Sequence, residues 1–125
     1  MKYRCLAALL LAAPPCGAST VHCHIVYGGE NFEVSAAPTT EPYRVAARKI
    51  GRYFEFKVVY VTTPAERAAI RVYVYGVSEG EPALIHEVRF PASVANQPGS
   101  YGFTGFQSVY EPSRSSDFQY WCEKR

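Results

Sequence analysis

The chain has little with which to perform acid–base or nucleophilic chemistry. It holds a single aspartate, Asp117, and three histidines, and no Gly-x-Ser-x-Gly elbow presents a serine at a strand-to-helix turn. A nucleophile–base site needs a serine or cysteine beside a histidine, with a carboxylate to orient the ring. The remaining acids are glutamates scattered along the chain without convergent spacing. Gly102-Phe-Thr-Gly105 has neither the spacing nor the lysine of a phosphate loop. The sequence therefore reads as a protein that is not an enzyme and carries no cofactor.

Charge of one sign is also lacking. With Lys2 and Arg4 set aside in the leader, the thirteen basic residues fall to eleven, equal to the eleven acids. A balanced, dispersed pattern gives no basic stripe for nucleic acid or anionic lipid, so neither partner is expected. No apolar run after the leader reaches the length of a membrane helix, so no transmembrane segment is expected there.

Cysteine is scarce and placed at the two ends. Met1–Arg4 is charged, the stretch 5–13 is apolar, and Pro14-Pro15 interrupts it, the layout of a Sec secretory signal. The reading is a signal peptide over 1–19, cleaved near Ala18 or Ser19, and one domain over 20–125. Cys16 follows Pro15 rather than the small residue that a lipobox requires, so lipidation is not expected. Cleavage removes Cys5 and Cys16 and leaves Cys23 and Cys122, an even number bound for an oxidising compartment. They are expected to form one disulfide joining the first strand to the last. The protein is expected to be periplasmic or secreted.

What is abundant is tyrosine, ten of 125 residues, with aromatics at 14% overall. Flat rings pack well on a pleated surface, which favours strands. Alternation marks strands at 21–27, with Val21, Cys23 and Ile25 on one face, and at 31–36 after a Gly28-Gly29 turn. Further strands are expected over 43–50, 52–62, 70–77, 83–90, 101–110 and 117–123. In the second half, Leu84, His86, Val88 and Phe90 are assigned to one face, with His86 a core residue bonded to backbone. Thr63-Pro64-Ala65-Glu66 resembles a capped helix start with room for one turn. The run 91–100 reads as a mobile loop. Seven to eight short strands with turns every ten residues or so indicate an all-β fold, a small antiparallel sandwich or partly closed barrel.

Two groups of residues are candidates for function. Trp121 and Gln119, with the outward tyrosines Tyr73 and Tyr75, form an expected binding surface for a protein or an envelope glycan. His22 and His24, at spacing i, i+2 on one strand face, form the alternative, a copper or zinc site. Cleavage after Ser19 would start the mature chain Thr20-Val21-His22, whose amine, amides and imidazole suit square-planar Cu(II). Cleavage after Ala18 destroys that register. Phe103 and Phe106 are expected to plug the core. The leading expectation is an exported, non-catalytic interaction module, with a copper- or zinc-handling protein as the alternative.

Overall fold

Alternating apolar and polar residues decide how the strands are used. In the computed structural model, which describes residues 19–125, the strands are β1 (Val21–Tyr27), β2 (Glu30–Ala36), β3 (Arg48–Ile50), β4 (Phe54–Val61), β5 (Ala69–Ser78), β6 (Glu81–Pro91), β7 (Gln107–Glu111) and β8 (Ser116–Lys124). They form two antiparallel four-stranded sheets, ordered β2-β1-β8-β7 and β3-β4-β5-β6. The first sheet is built from both ends of the chain, and the second is a contiguous meander. The architecture is a sandwich and not a closed barrel. The leader expected over 1–19 lies almost wholly outside the described residues.

The inner faces meet in an aromatic core. Val21, Cys23 and Ile25 of β1 and Phe118, Tyr120 and Cys122 of β8 face Phe54, Phe56 and Val58 of β4 and Ile70, Val72 and Val74 of β5. Phe118 stands 5.0 Å from Phe54 and 5.9 Å from Phe56, ring centre to ring centre, and Tyr120 stands 5.5 Å from Phe56. Each ring removes some 150–250 Å² of apolar surface from water, so this cluster carries much of the driving force for folding.

Cys23 and Cys122 are bonded, directly opposite one another on β1 and β8, with Cα atoms 4.0 Å apart and a sequence separation of 99. The bridge lies within one sheet. It ties the first strand to the last, as the sequence led us to expect.

Four expectations are corrected. The stretch 43–50 is not one strand: Pro42–Arg44 is a 3-10 turn and only Arg48–Ile50 pairs with β4. Alanine and arginine at alternate positions suit either structure, so periodicity there carries little weight. Leu84 leaves the face assigned to it, because a bulge between Val74 and Tyr75 in the β5–β6 register makes Ile85 the extra residue. Parity inverts at a bulge, so Ile85 packs on the core while Leu84 is 49% exposed. The turn after β4 is a single 3-10 turn, Ala65–Arg67, preceded by Pro64 and without a side-chain cap, so Thr63 does not cap it.

The fourth correction concerns the connection between β6 and β7. The expected mobile loop is anchored, and the segment before Gln107 is not a strand. β7 pairs with β8 only as far as Gln107 opposite Tyr120, which leaves polar backbone groups on the rest of β8 to be satisfied. The connection supplies the partners. The Cys122 amide donates to Thr104 Oγ1, the Phe103 amide donates to the Cys122 carbonyl, and the Asn96 side chain accepts from the Lys124 amide and donates to its carbonyl. Gly102 makes this possible. Its φ is +57°, and a Cβ there would collide with the Cys122 carbonyl oxygen.

Candidate functional site: an aromatic strip on the terminal sheet

Alternation that buries Cys23 and Cys122 turns their neighbours outward. His22 and His24 project from the outer face of β1, with Glu123 and Trp121 opposite them on β8. The imidazole of His24 stacks on Trp121 with centroids 4.1 Å apart and planes 20° apart. Trp121 in turn meets Tyr101 at 5.7 Å, and Tyr101 meets Phe106 at 5.1 Å. The result is a continuous run of four rings from β1 across β8 onto the β6–β7 connection. Tyr101 is 54% exposed and Phe106 45%. Gly102 fixes the position of the run's outer half, since it carries the chain tightly past Cys122 with Tyr101 outside and Phe103 inside.

A polar margin borders the strip. His24 Nε2 lies 2.9 Å from Glu123 Oε2. His22 Nδ1 lies 3.1 Å from Glu33 Oε1 and 3.0 Å from Ser35 Oγ, and its Nε2 lies 2.7 Å from Thr20 Oγ1. Arg125 spans both acids, 3.0 Å from Glu123 and 3.6 Å from Glu33. The hydrogen bond from Arg125, helped by that from His24, holds the Glu123 carboxyl below its ordinary value. A hydrogen bond from His22 does the same for Glu33. The His22–Glu33 pair is exposed and the His24–Glu123 pair half-buried, so the first orients side chains more than it stabilises the fold.

The chain matches no protein-family model, no curated protein and no solved structure. Exposed rings in contact with one another are a surface that water solvates poorly and a partner can cover. For a metal ion the donors are less favourably disposed. His22 has both ring nitrogens engaged and His24 has Nε2 engaged, and among the described residues no three of His, Cys, Asp and Glu converge as a ligand set.

The residues singled out in the sequence fall into two places. Trp121 and Gln119 share the outer face of the terminal sheet with His22 and His24. Tyr73 and Tyr75 lie on β5, on the outer face of the other sheet, stacked 6.4 Å apart with the Lys57 ammonium 4.7 Å above the Tyr73 ring. The four do not form one surface, because β5 and β8 belong to opposite layers. His86, expected in the core, is half-buried, and its Nε2 bonds the Tyr120 hydroxyl at 2.7 Å rather than backbone. Phe103 plugs the core against Phe90 at 5.3 Å, whereas Phe106 is exposed. Tyr101 escaped sequence reasoning altogether. Its signal was the glycine that follows it, which reverses the chain and leaves the preceding ring outside.

Proposed function

We propose that the protein is an exported, non-catalytic interaction module that receives a protein or envelope-glycan partner on the strip His24–Trp121–Tyr101–Phe106. The observation that supports this reading is the continuity of the four rings together with the half-exposure of the outer two. Aromatic anchors dominate binding energy in protein interfaces because a large rigid ring loses little entropy when covered. The same flat faces pack against the C–H faces of sugar rings. Gln119, beside the strip on β8, adds a neutral donor and acceptor. Export is supported by the disulfide, a bond that persists in oxidising compartments. No helix among the described residues is long and apolar enough to cross a membrane.

The test is to immobilise the purified protein and a Tyr101→Ala/Phe106→Ala variant, and to pass over each the detergent-free envelope extract and a panel of envelope glycans. A partner retained by the parent and lost by the variant, with the melting temperature of the variant unchanged, is the expected result. Equal retention by both proteins removes the strip as the binding surface. Trp121 is the only tryptophan, so a shift of its emission on adding the retained partner reports contact at the strip itself.

A further inference from the structure

The opposite layer carries a different surface. On the outer face of the β3-β4-β5-β6 sheet, between the 3-10 turns Pro42–Arg44 and Ala65–Arg67, lies a groove of about 740 Å³. Its floor is aliphatic: Val59, Val61 and Ala69 point outward from β4 and β5 yet are only 5%, 9% and 2% exposed. Lys57, Arg67, Arg71 and Arg89 line it, against one lining acid, Glu66. Arg71 and Arg89 stand directly opposite each other on β5 and β6. Like charges in that position destabilise a sheet, and among the described residues none of the four cations makes an ion pair. The contrast with Arg125, shared between two glutamates on the other face, is direct.

Facing arginines without an ion pair break a local rule of sheet pairing, as functional sites commonly do. We propose that this groove binds an acidic oligosaccharide, with Arg71 and Arg89 receiving its carboxylate or sulfate groups and a sugar ring resting on the exposed ring of Tyr43. Guanidinium groups meet planar oxyanions through two parallel hydrogen bonds, which gives them orientation as well as attraction. The groove has the volume of an ordinary small-ligand site, which runs from roughly 300 to 1,000 Å³. A nucleic acid would need a longer cationic track. Here the basic stretch is bounded at one end by Glu87, opposite Tyr73, and Glu55, opposite Tyr75. The site lies on the far side of the sandwich from the aromatic strip and does not depend on it.

The test titrates the purified protein by calorimetry, at low and moderate salt, with a heparin-derived hexasaccharide, a neutral hexasaccharide and a single-stranded oligonucleotide of matched charge. Binding of the acidic sugar alone is expected, and Arg71→Gln and Arg89→Gln should each weaken it about tenfold or more, the loss of one charged hydrogen-bonded pair. Their melting temperatures should be unchanged or raised, since each relieves the facing charges. Arg67→Gln repeats the measurement away from the paired strands. Tyr101→Ala should leave this affinity intact, so that failure of the groove and failure of the strip are distinguishable. No binding by the parent protein, equal binding of the oligonucleotide, or arginine variants with unchanged affinity would each overturn the assignment. So would a melting temperature that falls together with affinity.

Discussion

Opening the Cys23–Cys122 bond perturbs the unfolded chain far more than the folded one. The cysteines are 99 residues apart, and in the loop-closure model a cross-link spanning that length removes about 4.7 kcal/mol of chain entropy from the unfolded state. The native pairing should survive reduction, because β1 and β8 are also joined by a ladder from Val21 opposite Lys124 to Val26 opposite Gln119. A domain of this size has roughly 5–15 kcal/mol of stability in total, so the reduced protein should fold but only marginally. Urea unfolding with and without reductant measures the difference. The midpoint should fall, and the denaturant slope should rise, because the released chain exposes more surface when it unfolds. The variant Cys23→Ala/Cys122→Ala should move in the same direction and lose slightly more, since both sulfurs are fully buried. A loss below about 1 kcal/mol with an unchanged slope would refute the reasoning, for it would mean that the bridge does not constrain the unfolded chain.

Further outcomes follow from the same geometry. Gly102→Ala should cost at least about 2 kcal/mol by thermal unfolding, since the left-handed backbone alone disfavours a side chain and the Cys122 carbonyl blocks it. Gly28→Ala, also at positive φ but with no atom nearby, should cost clearly less. Acidification should lower stability in two stages. Burial depresses the His86 pKa below its ordinary 6.5, so the unfolded chain takes up a proton that the folded one refuses, and stability falls as pH drops below about 6.5. His86→Gln, which can still bond Tyr120, should remove this first stage. Below about 4.5 the carboxyls of Glu33, Glu111 and Glu123, each held low by hydrogen bonds from His22, Ser113 and Arg125 respectively, take up protons more readily in the unfolded chain, and stability falls again. Titration of the purified protein with Cu(II) should give binding no tighter than micromolar, because metal at His22 and His24 must displace Glu33 and Glu123; tighter binding would restore the copper or zinc reading.

Where alternation runs uninterrupted, the sequence was enough to place residues. Val21, Cys23 and Ile25 on one inward face and Trp121 at the surface follow from a period of two and one disulfide. Leu84 was misplaced because nothing in Ala83–Val88 announces the bulge that shifts its register. Tyr73, Tyr75 and Trp121 were grouped because alternation says that a residue points outward without saying outward from which layer. The groove was hidden for a related reason. Lys57, Arg67, Arg71 and Arg89 are dispersed among acids along the chain, and only the β4–β5–β6 meander and its two turns gather them on one face. Tyr101 depended on Gly102, whose contact is with a strand twenty residues further on.

The most direct test of the aromatic strip places a photo-crosslinking benzoylphenylalanine at position 101 of the protein and irradiates the whole cells that produce it. A single dominant adduct from position 101, repeated from position 106 and missing from a control at position 79 in the β5–β6 turn, is the predicted result. Adducts from position 79 as strong as those from 101 and 106, or none from the strip while the protein is folded, would contradict the account.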